Sequence, residues 1–257
     1  MSQTRFEFLG VPIDTYSTDE VLEKIKKYIN TPSGFFHIVS INPENVVVAN
    51  HNSQFRSVCN ESSLALCDGV GVLFGARILG IPLKGRTQGS VLLPRLLDLA
   101  GQLSLSVVLI GSQANLADTI AKCYNQSYPK AKFTGIQGYQ NISNPTPEEE
   151  RAVLSIVNAT RPHMIFAAFG SPSQELWFYS HKHLFKDTLC MGVGGGFNYI
   201  SGASKQPGRY VRQFGLEWLY RLITEPKRIQ RQLTRLPLFV RMVIKEKIYG
   251  KKSRDRS

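Results

Sequence analysis

Residues 164–196 read MIFAAFGSPSQELWFYSHKHLFKDTLCMGVGGG. Two short apolar runs, 164–169 and 188–193, bracket a helical pattern at 173–183, and glycine follows each run. Continuous apolar runs of this length suit strands buried on both faces, as in a parallel sheet. The alternation continues outward. Strands are predicted at 35–41, 64–67, 106–110 and 132–136, and helices at 18–29, 44–49, 70–79, 90–100, 114–125 and 147–158. Thr18 followed by Asp19 and Glu20, and Thr146-Pro147 followed by three glutamates, are helix starts with acids in the first turn. The repeated β-α order predicts an α/β fold, a mostly parallel sheet with flanking helices.

The 257 residues divide unevenly in charge. Residues 205–257 hold 15 Lys/Arg against 4 Asp/Glu, whereas residues 1–204 hold 16 against 15. A Gly/Ser/Pro-rich break at 201–209 separates them, and beyond it the pattern is purely helical, at 213–224 and from 226 to about 249. The expected organisation is an α/β body, 1–204, which the resemblance below makes the catalytic domain, and a basic amphipathic helical appendage, 205–257. Pro237 should kink or break the second appendage helix. In that helix Ile229, Leu233, Leu236 and Val240 recur at helical spacing beside a stripe of Arg228, Arg231 and Arg235. Such a helix suits an anionic surface, lipid or nucleic acid. No stretch of about 18 apolar residues occurs, and the N-terminus lacks a signal-peptide core. The four cysteines form no C-x-x-C, and Cys67 and Cys190 read as buried thiols. A reducing cytoplasmic compartment is therefore expected.

Ligands of open α/β sheets bind at the carboxyl ends of the strands. The residues delivered there are Ser40, Asn42 and Glu44 (VSINPE), Asp68 (LCDGVGV), Gln174 and Glu175 (GSPSQE), and the glycine loop Gly192, Gly194, Gly195 and Gly196. Asp68 suits a general base or, more simply, a cap for the following helix. Consecutive glycines admit a phosphate or a base to backbone N–H groups, or make a tight turn. The spacing Gly69-x-Gly71-x-x-x-Gly75 is a loosened dinucleotide fingerprint without its acidic ribose partner. Arg86, in a loop before a helix, has the planar fork for a diphosphate. No Asp-x-Asp pair and no His/Cys cluster supports a metal site. These residues leave three classes open: group transfer from a nucleotide, nicotinamide-dependent oxidoreduction through the Gly69–Gly75 stretch, and nucleic-acid binding through the tail.

The ordered strings VSINPE, LCDGVGV, GRTQGS, FGSPSQELW, MGVGGGFNYISG and GLEWLYRLITEPKRIQRQ resemble the WecG/TagA/CpsF family of bacterial glycosyltransferases, from about Phe8 to Gln232. The resemblance implies a Rossmann-like core and inverting, metal-independent transfer of a hexose-type sugar (N-acetylmannosamine, glucose or a uronic acid) from a UDP-sugar. The implied acceptor is a polyprenyl-diphosphate-linked saccharide, in polysaccharide or teichoic acid synthesis. Asp68 matches the family's catalytic aspartate. Ser40, Arg86 and Gln174 match substrate-binding positions of the family, and Asn42 and Glu175, in the same motifs, are expected to bind substrate with them. Arg221, Arg228 and Arg231 correspond to the basic residues expected near the site. Ser40 stands where the family has Thr, and Asn198, placed with the nucleotide loop, stands where many members have Asp. Lys205-Gln206-Pro207 replaces Arg-Ala-Pro. The partners implied are the UDP-sugar, the lipid-linked acceptor and an anionic membrane surface on the inner face of the cell membrane. No cofactor and no nucleic acid are expected, and self-association is left open.

Overall fold

A computed structural model describes residues 3–111, 113, 115–204, 208, 211, 219–220 and 229–250. The predicted strands are present with bounds shifted by at most two residues: β3 (Phe36–Ile41), β4 (Leu64–Cys67), β5 (Ser106–Gly111), β6 (Lys132–Gln137), β7 (Met164–Ala167) and β8 (Leu189–Gly192). An N-terminal hairpin, β1 (Arg5–Phe8) and β2 (Val11–Asp14), precedes them. The sheet order is β1-β2-β4-β3-β8-β7-β5-β6. Only the β1–β2 pairing is antiparallel.

The helices are α1 (Thr18–Asn30), α2 (Pro43–His51), α3 (Ser53–Asn60), α4 (Val70–Leu79), α5 (Gly89–Gln102), α6 (Leu116–Ser127), α7 (Pro147–Thr160), α8 (Ser173–Ser180), the short α9 (Gly196–Ile200) and α10 (Ile229–Lys245). Capping boxes start α1, where Ser17 pairs with Glu20, and α7, where Thr146 pairs with Glu149. Each satisfies two otherwise orphaned backbone donors.

Strand side chains alternate strictly between two apolar layers. Leu64 and Leu66 enter one cluster, and Ala65 and Cys67 another. Val107 and Leu109 face the first layer, and Val108 and Ile110 the opposite one. Helices α1, α5, α6 and α9 cover the first face, and α2, α3, α4, α7, α8 and α10 the second. With both faces covered, both residue parities are mostly apolar, so the inner strands read as short apolar runs, interrupted in β3 by His37 and Ser40. Each fully buried Phe or Leu in these layers contributes about 1.5–3 kcal/mol.

Helix α10 runs through Pro237 without a break and ends in a π-helical turn, Glu246–Gly250. The proline removes one ladder bond, which is tolerable because flanking Phe239 and Val243 are anchored in the layer formed with Phe8 and Val72. The predicted helix at 213–224 lies almost entirely outside the described residues.

Candidate active site

The connections leaving β3 and β8, which are neighbours in the sheet, go to opposite faces: Val46 and Val47 of α2 pack in one layer, and Phe197 of α9 in the other. Such a divergence opens a crevice at the carboxyl ends of the strands. A cleft of about 700 Å³ occupies it. Its wall includes Ser40, Asn42, Glu44, Asp68, Gln174, Glu175, Gly192, Gly194, Gly195, Gly196 and Asn198, so the strand-end residues singled out from the sequence meet in one cavity.

Asp68 follows the last residue of β4, and its N–H donates to Ile41 O at 2.9 Å. The following helix is capped by Gly69, at φ 100°, with no side-chain cap bond. Gly69, and not Asp68, is therefore the N-cap residue, and Asp68 stands on the cleft wall. Asn42 does cap a helix: its Oδ1 accepts from Asn45 N at 2.9 Å.

Arg86 does not line the cleft but borders it. The adjacent Thr87 is buried and donates its N–H to Cys67 O at 2.9 Å, beside Asp68. On the other side Lys84 pairs with Glu20. The Lys84 ammonium, helped by the Ser17 backbone and hydroxyl, lowers the Glu20 carboxyl to about 2. The Arg86 loop is thus tied down on both flanks. Arg221, Arg228 and the Arg231 side chain lie outside the described residues.

Gln174 and Glu175 sit in the first turn of α8, 4% and 1% exposed. Gln174 Oε1 accepts from Gly170 N and Gly194 N, both at 3.1 Å, and its Nε2 donates to Glu175 Oε1 at 2.8 Å. Burial raises the Glu175 carboxyl above the usual range, against the Gln174 amide and the Ser171 hydroxyl. Helix α8 is held from below by Trp177, whose indole N–H donates to Tyr139 Oη at 2.8 Å.

The glycines of α4 have a packing explanation. A Cβ on Gly71 would lie 2.8 Å from Pro43 Cγ, and one on Gly75 would lie 3.0 Å from Phe8 and 3.1 Å from Val243. They let α4 approach α2 and α10 closely, which accounts for the loosened fingerprint without a dinucleotide. Among the described residues, no three of His, Cys, Asp and Glu gather as a metal site.

Sequence reasoning missed Asn45, Phe74, Gln88 and Leu236 on the cleft wall. Asn45 had a signal: a polar residue at an inward position of α2, 4% exposed, bonding Ser40 O and the Ser171 hydroxyl. Leu236 had none, because it arrives from α10, remote in sequence.

The family described as "Glycosyl transferase WecG/TagA/CpsF family" matches residues 6–253. An N-acetylglucosaminyldiphosphoundecaprenol N-acetyl-beta-D-mannosaminyltransferase of Bacillus spizizenii is 34% identical over 236 residues, 91% of this chain and 88% of the relative. A Staphylococcus aureus protein of the same name is 30% identical over 251 residues, 97% of this chain and 96% of the relative. This chain belongs to the WecG/TagA/CpsF family of glycosyl transferases.

Proposed function

We propose that the cleft transfers an N-acetylmannosamine-type sugar from a UDP-sugar to an N-acetylglucosaminyl-diphosphoundecaprenol-type acceptor, the acceptor in the relatives' names. The observation that carries this is the position of Asp68, at the end of β4 on the wall of the cleft of about 700 Å³ that also gathers Ser40, Asn42, Gln174 and the glycine loop. Its carboxylate takes the proton of the acceptor hydroxyl as that oxygen attacks the anomeric carbon. The bond from that carbon to the UDP oxygen breaks, and UDP leaves with the electron pair on the opposite face, so configuration inverts. Negative charge gathering on UDP is met by Arg86, without a divalent metal, and the glycine loop, whose Gly194 and Gly196 N–H groups donate to Gln174 Oε1 and Val193 O, lets the nucleotide approach the backbone closely. Arg221, Arg228 and Arg231 are assigned to the two diphosphates. Ser40 and Asn198 orient the sugar and the nucleotide.

The enzyme works as a peripheral protein on the inner face of the membrane, held by residues 205–257. No helix among the described residues is long and apolar enough to cross a membrane.

The test is transfer from UDP-N-acetylmannosamine to a short-chain polyprenyl-diphosphate acceptor. Asp68→Asn should lower turnover by about 100-fold or more while UDP still protects against heat. Excess EDTA should leave the rate unchanged. Near-normal turnover in the variant overturns the base assignment, and loss of activity restored by magnesium overturns the metal-free scheme.

A further inference from the structure

Two backbone N–H groups, on Gly170 and Gly194, converge on a single atom of Gln174. Since N–H groups only donate, that atom must be the amide oxygen, and the NH₂ must point the other way. There it meets Glu175 Oε1 at 2.8 Å. Glu175 is 1% exposed, and its Oε2 has no hydrogen-bond partner. The two glycines belong to different loops, one after β7 and one after β8, and both have positive φ, 85° and 48°. The Gln174 oxygen ties these two loops to one side chain, beside the backbone bond from Val193 N–H to Ala167 O, and both loops line the cleft.

We propose that Glu175 is a positioning residue: by accepting from Nε2 it fixes which way the Gln174 amide faces, and through that amide it locks the Gly170 and Gly194 loops into one cleft wall. In the proposed function this wall is where the leaving nucleotide is held, so the inference deepens that reading and rests on it. Glu175 needs no contact with substrate. Its task is that of a buried acceptor, and the acceptor oxygen of a glutamine performs it equally well. A leucine of similar size leaves Nε2 unpartnered and the amide free to turn, which removes the shared acceptor of the two loops.

The experiment compares E175Q, E175L, Q174E and the swapped pair Q174E/E175Q. Amide hydrogen exchange is read on peptides covering 168–175 and 192–198, beside UDP affinity and donor kinetics. Exchange in both peptides should quicken about tenfold or more in E175L and stay near wild type in E175Q. In Q174E two carboxyls face each other, and exchange should quicken; the swap restores a donor facing an acceptor and should restore protection. UDP affinity and donor KM should weaken about tenfold in E175L, with little change in kcat once donor saturates. A merely structural role would lower melting temperature without separating KM from kcat. If E175L does not fold, the isosteric Q174E and its rescue by the swap decide the question. Unchanged exchange in Q174E and E175L overturns the proposal. So does a large kcat loss in E175Q with normal exchange, which makes Glu175 an acid or base acting on substrate. Exchange reads the clamp even if no UDP-sugar is turned over, so failure of the proposed function is seen separately.

Discussion

Gly192 leaves the space that the Gln174 side chain fills: a Cβ on Gly192 would lie 2.5 Å from both Cγ and Cδ of Gln174 and collide with its amide nitrogen. The glycine at the end of β8 is thus set by a side chain on α8, and not by backbone conformation. Gly192→Ala should displace Gln174 and strip Gly170 and Gly194 of their acceptor. Overpacking of this kind costs about 1–3 kcal/mol. Urea denaturation should show that loss, accompanied by weaker UDP binding. A variant with wild-type stability and affinity would falsify the assigned contact.

The sheet was legible because both of its faces are buried, which makes the core strands predominantly apolar runs, His37 and Ser40 in β3 notwithstanding. The β1–β2 hairpin was not. Its two-residue turn, Leu9-Gly10, has both residues at positive φ, 51° and 82°, but carries only half of the usual Asn-Gly signal. Helix α3 was hidden because Asn52 closes α2 and caps α3 at once, leaving no loop between them. Asp68, Ser40 and the glycine loop could be found because strand ends collect ligands. That Gln174 is a tie between loops could not, since its partners are backbone groups 4 and 20 residues away.

His37 supplies a pH dependence. It is 1% exposed, neither ring nitrogen has a partner, and the rings of Phe35 and Phe178 lie 5.2 and 5.7 Å away. Burial pushes its pKa down from 6.5 to about 3. Below pH 6.5 the unfolded chain takes up a proton that the folded chain refuses, so stability present above pH 6.5 is lost as pH falls toward 3. The loss from this group between pH 7.5 and 5.5 is about 1.4 kcal/mol. His37→Phe should remove that component, and urea midpoints at the two pH values measure it. Parallel losses in wild type and variant would count against it.

The cysteines should differ in reactivity. Burial pushes the Cys59 and Cys67 thiols up to about 12, with Glu175 and Asp68 respectively adding to the effect, and burial raises Cys190 as well. Cys123 is exposed. Because the thiolate is the nucleophile, native protein at pH 8 should release one equivalent of thionitrobenzoate from Ellman's reagent quickly. Cys123→Ser should abolish that phase. Rapid modification of Cys67 would instead show that the strand end beside Asp68 opens to solvent.

Helix α10 has two apolar faces with different fates. Phe239 and Val243 are 3% and 4% exposed and pack with Phe8 beneath Gly75. Leu233, Leu236, Val240 and Ile244 form a second stripe, 64%, 37%, 47% and 52% exposed. The stripe borders the cleft, since Leu236 lines both. Arg235 pairs with Glu44 on the cleft wall at 3.5 Å, tying the helix to the site. A basic helix with an unburied apolar stripe suits a lipid interface, where each engaged Lys or Arg contributes about 1 kcal/mol, screened by salt. Deleting the tail tests this poorly, because it also removes Phe239 and Val243 from the core. Phe239→Ala alone should cost about 3–5 kcal/mol of stability. The cleaner variant is Leu233→Glu with Val240→Glu, which leaves the buried face intact. It should keep its melting temperature and its UDP affinity, but lose co-sedimentation with phosphatidylglycerol vesicles at low salt and with it most transfer to a long-chain acceptor. Transfer to a water-soluble short-chain acceptor should persist. If the doubly substituted protein still sediments with vesicles as wild type does, this stripe is not the membrane contact.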